Sequence, residues 1–147
     1  MDLDTRSRSE RPARRVVRRA FARRGVKRAA ILIKKIDSTL RGHVVAELAA
    51  ARQSLGRRPV LLALSFPAQR RVVRDSRLLV DGKPVPGDLR ALLSGAGLPA
   101  AQVDLATVRR DKLAAALRAA LATGARGLAC DAVTAPTSTI GPVGDAE

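Results

Sequence analysis

The sequence contains almost no aromatic residues and very little cysteine or histidine. Its 147 residues include two phenylalanines, no tryptophan, no tyrosine, one histidine and one cysteine. A surface that stacks the bases of single-stranded nucleic acid needs aromatic side chains, so this composition disfavours one. A single cysteine, Cys130, forms no disulfide within the chain, which favours a reducing, cytoplasmic location.

Long apolar runs and clustered metal ligands are missing as well. No apolar stretch approaches the ~20 residues that a helix needs to span a bilayer, and the N-terminus has no apolar signal-peptide core. The potential metal ligands are scattered, so their spacing predicts no metal site. His43 is expected at a helix start or on the surface, and Cys130 in the core.

Acidic residues are far fewer than basic ones. There are 13 acidic and 28 basic residues, which gives a formal net charge of +15, and residues 1–28 alone carry +8. This charge favours anionic partners through long-range attraction, but it does not separate nucleic acids from phosphate or carboxylate metabolites. The 46% hydrophobic content suffices for one folded domain with an aliphatic core.

Apolar periodicity predicts helices that alternate with strands. Helices are expected from residue 10 to a stop at Gly25 and over residues 42–55, 88–93 and 110–122; buried strands are expected over residues 29–33, 60–64, 103–108 and 127–130. Asp81-Gly82 predicts a hairpin. The pattern indicates an α/β fold, a layered and mostly parallel sheet with flanking helices and an inserted β-hairpin, followed by a loose tail at residues 134–147.

The polar run Lys-Lys-Ile-Asp-Ser-Thr-Leu-Arg-Gly at residues 34–42 is the main functional signal. It follows a predicted strand, as do residues 65–71 and Asp131, and ligands of open α/β sheets bind at the carboxyl ends of strands. Its ammonium, hydroxyl, carboxylate and guanidinium groups suit an anionic, hydroxylated small molecule. Lys35 and Arg41 would bind the carboxylate of such a ligand. The hydroxyls of Ser38 and Thr39 would bond its hydroxyl groups, and the N-terminal amides of the next helix would help to bind the anion. The structural alternative is that Asp37 or Ser38 caps the next helix.

Residues 34–42 resemble the Lys-Lys-x-Asp-Ser-Thr-Leu-Arg-Gly signature of the four-carbon acid sugar kinase family. The resemblance extends from about residue 2 to residue 134. Supporting stretches are Asp4-Thr5-Arg6-Ser7, Glu47, Ser65-Phe66-Pro67-Ala68-Gln69, the hairpin at residues 77–85, and Cys130-Asp131-Ala132-Val133-Thr134.

The resemblance implies the N-terminal domain of a cytoplasmic, ATP-dependent kinase. That domain would bind a four-carbon acid sugar of the tetronate or 3-oxo-tetronate type, and a C-terminal domain would bind ATP with Mg²⁺. Residues 1–147 would form part of the substrate-binding domain without the ATP-binding domain. By itself, such a chain is expected to bind no cofactor and to lack kinase activity. A separate ATP-binding domain or a homo-oligomer is an implied partner.

The same resemblance implies which residues contact substrate. The implied set is Lys35, Asp37, Ser38, Thr39 and Arg41, with Asp4 and Arg6 from the N-terminal segment. Asp37 is also the candidate catalytic group, because it could orient or deprotonate the attacking hydroxyl in a phosphoryl transfer. A purely structural cap remains open for this carboxylate.

Several features depart from the family pattern. The Asp-Asp-x-Thr-Gly-Ala loop and any GxxxxGK[ST] phosphate loop are missing from the sequence. Ser65 stands where the family has an Ala, and Arg70 stands where it commonly has a Gly. The long side chain of Arg70 is expected to obstruct substrate or to alter the loop.

Two other interpretations stay open. One is a basic phosphate- or nucleic-acid-binding module that uses the arginine face of the first helix, although that face equally suits solvent and no groove-reading motif is present. The other is a relic that folds only with a partner.

Overall fold

In the computed structural model, residues 3–109 and 112–133 are described, and they alternate between helices and short strands. The α-helices are α1 (Glu10–Phe21), α2 (Arg24–Arg28), α3 (Val44–Leu55), α4 (Leu89–Gly95), α5 (Leu105–Arg109) and α6 (Leu113–Ala122). The β-strands are β1 (Val60–Leu62), β2 (Arg71–Arg74), β3 (Arg77–Val80), β4 (Lys83–Pro84), β5 (Ala100–Val103) and β6 (Gly127–Cys130). Of these helices, none is long and apolar enough to cross a membrane.

A parallel sheet with the strand order β1-β6-β5 forms the centre of the fold. Val60 lies opposite Gly127, and Val103 lies opposite Cys130. All four residues of β6 are buried, as expected for a central strand covered on both faces. The predicted strand at residues 127–130 and the predicted parallel α/β architecture are therefore confirmed.

The main core lies between this sheet, α3 and α4. Its buried side chains include Leu48, Leu62, Leu64, Val73, Leu78, Leu89, Leu93 and Leu98. Asp88 begins α4 by accepting hydrogen bonds from the amides of Arg90 and Ala91, which satisfies backbone donors at the helix start. The short helix predicted near residues 88–93 is confirmed.

Helix α1 packs on α3 through small side chains. Val17 is fully buried against Ala50 and Ala51, and Phe21 packs at the edge of this cluster. Both predicted helices are confirmed. The helical spacing of the apolar residues in α3 also predicts that Val45 is buried, but Val45 is 40% exposed. The contact with α1 buries Ala50 and Ala51 instead.

An antiparallel unit, β2-β3-β4, carries two tight turns. Asp81 and Gly82 have φ of 50° and 75°, which confirms the predicted hairpin. Asp75 and Ser76 form a second turn with φ of 51° and 58°, for which the sequence offers no turn signal as strong as Asp-Gly.

Asp131 fastens this second turn to the parallel sheet. Its buried carboxylate follows β6 and accepts hydrogen bonds from the amides of Asp75 and Ser76, at 2.9 and 3.0 Å, and from Gln102 Nε2 at 3.1 Å. Although Asp131 follows a strand as predicted, its carboxylate supports the hairpin and is not directed to the 34–41 loop.

The strand predicted at residues 29–33 is wrong. This segment bends at Ala30 and Ile31 and forms no strand, and its Ile31 and Ile33 side chains are 82% and 92% exposed. A β-strand requires a partner that supplies a backbone ladder, and within the described ranges no strand pairs with this segment. Gly25, the predicted helix stop, lies inside α2.

Further boundaries differ from the predictions. The strand predicted at residues 103–108 lies at Ala100–Val103, and the chain then turns into α5 because Asp104 accepts a hydrogen bond from the Thr107 amide at 2.7 Å. The strand predicted at residues 60–64 ends at Leu62. The predicted loose tail, residues 134–147, lies outside the described residues.

Gly127 has no space for a side chain. A Cβ at this position would lie 3.1 Å from Leu93 Cβ and 3.2 Å from Leu98 Cβ, where helix α4 and the following loop press on β6. Gly127→Ala should therefore lower the free energy of unfolding by about 1–3 kcal/mol, through overpacking. Urea denaturation measures this. Gly25→Ala is the matched control, because a Cβ added there would have no neighbour within 4 Å; equal effects at both glycines would contradict the packing described.

Candidate functional site

The carboxylate of Asp37 organises the polar loop at residues 34–41. Its Oδ2 accepts hydrogen bonds from the backbone amides of Thr39 and Arg41, at 3.1 and 3.2 Å, and from the Thr39 hydroxyl at 2.5 Å. These bonds cap a turn within the loop. The predicted capping of the next helix is wrong, because α3 begins later, after His43, and His43 instead contacts the carbonyl of Arg8.

Two guanidinium groups converge on the same carboxylate. Arg41 donates from Nε to Oδ2 at 3.1 Å and from Nη2 to Oδ1 at 3.3 Å, and Arg6 donates from Nη1 to Oδ1 at 3.4 Å. The hydrogen bond from the Arg41 side chain is the main reason why the pKa of Asp37 lies well below its ordinary value; burial opposes the shift, and the Thr39 and backbone donors add to it. The carboxylate therefore stays ionised and is a weak proton acceptor, which suits orienting a hydroxyl better than deprotonating it.

The loop backbone adopts left-handed conformations on both sides of Arg41. Leu40 has φ of 61° and Gly42 has φ of 89°. A bulky residue rarely adopts positive φ. Leu40 is held there by the hydrogen bond that its amide donates to the Asp37 carbonyl, at 2.9 Å, and by packing against the main core. Gly42 also lies under the Arg6 backbone. The loop is thus fixed rather than adaptable.

The two lysines of the loop have different surroundings. Lys34 Nζ forms an ion pair with Glu47 Oε2 of α3 at 2.5 Å, and both side chains are largely buried. Lys35 is exposed and forms no ion pair within the described ranges. Lys34 therefore anchors the loop to α3, whereas the ammonium of Lys35 is available to a ligand.

An open cavity of about 640 Å³ lies between the N-terminal segment, the loop and α3. Its polar lining residues are Asp4, Thr5, Arg6, Lys34, Lys35, Asp37, Arg41 and Glu47, and its apolar ones include Leu3, Phe21, Val26, Leu32, Ile33, Ile36 and Val44. The lining contains four cationic and three anionic side chains. One positive charge is therefore not balanced, which favours an anion.

Asp4 shapes the N-terminal side of this cavity. It has φ of 39°, its carboxylate accepts hydrogen bonds from the Ser7 hydroxyl at 3.2 and 3.3 Å, and its carbonyl accepts one from Arg8 Nε at 3.0 Å. The turn it makes places Arg6 over the 34–41 loop. The structure therefore brings together the predicted residues of the N-terminal segment and of the loop, which lie far apart in the sequence.

Ser38 and Thr39 do not line the cavity. The Thr39 hydroxyl donates a hydrogen bond to the Asp37 carboxylate. Ser38 Oγ accepts a hydrogen bond from Nη1 of Arg71, the last residue of the predicted 65–71 loop. No sequence motif marks Arg71 as a functional residue. In the sequence, Arg71 is distinguished by its position at the end of the predicted 65–71 loop. Its contact with Ser38 depends on the tertiary fold and cannot be predicted from a local pattern.

Arg70 and Cys130 lie apart from these contacts. The Arg70 side chain is 82% exposed, forms a long ion pair with Asp81 at 3.8 Å and is not among the residues that line the cavity. Its left-handed φ of 51° matches a position where a glycine is expected. Cys130 is buried as predicted, and burial, with a smaller contribution from Asp131, raises the pKa of its thiol to about 11.

The α/β fold resembles that of solved proteins of the DUF1537 class. A Haemophilus influenzae protein of that class superposes with a TM-score of 0.74 over 90% of this chain and 37% of its own, at 17% identity, a likeness that shows the fold alone. A Bordetella bronchiseptica domain of unknown function (DUF1537), solved as a domain-swapped dimer with bound citrate, gives a TM-score of 0.68 at 27% identity over 88% of this chain and 34% of that chain.

Sequence comparison narrows this class to a family. Residues 1–139 match the family described as sugar-binding N-terminal domain, and the chain belongs to that family. It is 38% identical over 120 residues to a D-threonate kinase of Cupriavidus necator, which covers 70% of this chain, and 33% identical over 122 residues to one of Salmonella typhimurium, which covers 71%. The chain spans 28% of the length of each relative. The predicted resemblance to the N-terminal domain of four-carbon acid sugar kinases is confirmed.

Asp37→Asn should destabilise the chain in a pH-dependent way. The substitution removes a charge that two guanidinium groups and two amides bind, so the free energy of unfolding at pH 7 should fall by about 1–3 kcal/mol. Because the folded-state pKa of Asp37 is depressed, the stabilisation is fully present above the ordinary carboxyl pKa of 3.8 and is lost as the pH falls below it.

Urea denaturation of the wild type and of Asp37→Asn, from pH 7 to below the carboxyl pKa of 3.8, measures the difference in their free energies of unfolding. Asp81→Asn is the control, because this carboxylate is 62% exposed and its ion pair with Arg70 is long, at 3.8 Å. A difference between wild type and Asp37→Asn that stays constant down to low pH would contradict the network.

Proposed function

We propose that this chain binds a four-carbon acid sugar of the D-threonate type along residues 34–41, and that together with an ATP-binding domain it serves the phosphorylation of a hydroxyl of that acid. The family match supports sugar binding. The two relatives named D-threonate kinase support the choice of sugar acid and of reaction, although the chain spans only 28% of each.

The observation that carries the proposal is the charge arrangement of the cavity. Asp37 binds both Arg6 and Arg41, and Lys34 is paired with Glu47. Among the described lining residues, Lys35 is an exposed cation that forms no ion pair. The four cations of the lining exceed its three anions by one charge, which a monocarboxylate would balance, and the hydroxyl groups of a sugar acid would find donors and acceptors on the same loop.

The Bordetella relative supports both the ligand class and self-association. Citrate, which that protein binds, is a small hydroxylated carboxylate like a tetronate. Because the same relative is a domain-swapped dimer, we extend the proposal to a homo-oligomer of this chain. Sedimentation velocity of the purified chain tests that extension.

An ATP–Mg²⁺ site does not fit the residues that the structure describes. Within residues 3–109 and 112–133, no group of three or more His, Cys, Asp or Glu side chains could hold a metal ion. The sequence contains no GxxxxGK[ST] loop. We therefore assign nucleotide and metal to a separate ATP-binding domain.

None of the comparisons supports the alternative of a nucleic-acid-binding module. The arginines of α1 face solvent, and among them Arg14 pairs with Glu10 across one turn at 3.8 Å. Such a pair is typical of a solvated helix surface. The exposed arginines of α1 are suitable positions for control substitutions, because none of them lines the cavity.

Lys35→Gln should weaken D-threonate binding about three- to tenfold, the range expected for losing one charge-assisted hydrogen bond at an exposed position. Isothermal titration of the 147-residue chain measures this. Arg19→Gln is the matched control, since it removes one exposed positive charge from α1, and it should leave the affinity unchanged.

Two outcomes would contradict the proposal. One is a wild-type chain that fails to bind D-threonate saturably, and the other is an Arg19→Gln variant that binds as weakly as Lys35→Gln. The second result would mean that the net charge of the chain, rather than a site, attracts the ligand. Salt-sensitive binding to a DNA duplex with no response to D-threonate would favour the nucleic-acid alternative.

A further inference from the structure

Glu47 places a largely buried carboxylate on the wall of the cavity that α3 forms. Its side chain is 8% exposed, and its Oε2 accepts a hydrogen bond from Lys34 Nζ at 2.5 Å. Glu47 lines the same cavity as Lys34 and Lys35. A charged side chain is rarely buried unless it is paired. The pair with Lys34 engages one of the two oxygens of this carboxylate.

The second oxygen of Glu47, Oε1, is open to the cavity. Within the described residues it accepts no hydrogen bond. In that part of the chain, the fully enclosed side-chain atoms that lack a partner are Arg71 Nε and Ser76 Oγ. Glu47 Oε1 is not one of them, so solvent or a ligand can reach it. A carboxylate oxygen forms strong hydrogen bonds with hydroxyl donors. Glu47 therefore offers an acceptor to a donor in the cavity.

The other carboxylates of the lining have less capacity for a ligand. Both oxygens of Asp37 accept hydrogen bonds from its own loop and from the N-terminal segment. The two oxygens of Asp4 accept from the Ser7 hydroxyl at 3.2 and 3.3 Å. Among the three acids that line the cavity, Glu47 is thus the one with an oxygen that no described residue engages.

The surroundings of Glu47 suit a hydroxylated carbon chain. Val44 lies three residues before Glu47, on the same face of α3, and it lines the same cavity. Phe21 and Ile36 add further apolar surface to this lining. A sugar acid carries C–H groups as well as hydroxyls. It can therefore contact the apolar part of the wall while one of its hydroxyls donates to Glu47.

The charges of the cavity favour one orientation of such a ligand. The carboxylate of Glu47 repels a second carboxylate, but it attracts the hydrogen of a hydroxyl group. Lys35 directly follows Lys34 in the sequence, and it is an exposed cation of the same lining that forms no ion pair. A sugar acid with its carboxylate at Lys35 and a hydroxyl at Glu47 satisfies both groups. The reverse orientation brings like charges together.

We propose that Glu47 is a specificity-determining residue of the sugar-acid site, where its Oε1 accepts a hydrogen bond from a hydroxyl of the ligand. The assignment rests on the proposed function and deepens it. Lys35 attracts the carboxylate of the ligand, whereas Glu47 selects acids that carry hydroxyl groups. Lys34 supports this selection, because its ammonium holds the buried carboxylate in place.

The test compares two ligands that differ in their hydroxyl groups. D-threonate and butanoate, which has the same four carbons and carboxylate without hydroxyls, are titrated into the wild type and into the double variant Lys34→Met/Glu47→Leu. Amide chemical shifts of the ¹⁵N-labelled chains give the affinities. The double variant removes one positive and one negative charge together, so the lining keeps its excess of one positive charge. Replacing both members of a buried pair by apolar side chains of similar size is often neutral for stability.

The wild type should bind D-threonate more tightly than butanoate, and the double variant should lose about tenfold or more of this preference. That factor is expected for one hydrogen bond to a charged group. The loss should fall on D-threonate, while the affinity for butanoate stays the same. Arg14→Met/Glu10→Leu is the matched control, because it removes an exposed ion pair of α1 outside this cavity, and it should keep the full preference.

A measurement on the wild type decides the question if circular dichroism shows that the double variant is unfolded. The ¹³C resonance of the Glu47 side-chain carboxyl should shift on saturation with D-threonate and stay in place with butanoate, because only the hydroxylated acid donates to Oε1. A Glu47 that serves only to anchor Lys34 would not distinguish the two ligands.

The outcomes separate this assignment from the proposed function. If the folded wild-type chain binds no D-threonate, the proposed function itself fails. If the wild type binds D-threonate and the folded double variant keeps the full preference over butanoate, the assignment of Glu47 is wrong. Equal affinity of the wild type for the two ligands, or a Glu47 carboxyl resonance that D-threonate does not shift, would also overturn it.

Discussion

The carboxylate of Asp37 joins three parts of the chain that would otherwise be independent: the N-terminal segment through Arg6, the turn through Thr39, and the entry to α3 through Arg41. Six N–H or O–H donors of these described residues point at its two oxygens. An ionised carboxylate with this many charge-assisted bonds is strongly favoured over its protonated form. This interaction fixes the conformation of the loop together with the packing of Leu40 against the main core.

The same interaction determines which groups remain for a ligand. Arg41 and Arg6 share the carboxylate of Asp37, and Lys34 pairs with Glu47, so that among the described cations lining the cavity Lys35 is the one without an ion pair. A short, hydroxylated monocarboxylate suits this arrangement, because it brings one charge and several hydroxyls. Membership in a family of sugar-binding N-terminal domains agrees with this chemistry.

Much of the fold can be predicted from local patterns, and the failures have physical causes. The turn at Asp81-Gly82, the helix α1 and the strand β6 depend on residues close in sequence, so local patterns predict them correctly. The apolar residues 29–33 have the composition of a strand, but strand formation depends on a partner that no local pattern reveals. The nine-residue run at 34–42 identifies the loop, whereas Arg71 cannot be recognised in the same way, because its role depends on a contact with Ser38 across 33 positions.

The proposed binding site can be tested by mapping amide chemical shifts of the ¹⁵N-labelled chain during titration with D-threonate. We expect the amides of residues 35–41 to shift together and to saturate with one affinity, while the amides of α1 away from the cavity do not shift. Shifts centred on the arginine face of α1, or no shifts at millimolar ligand, would contradict it.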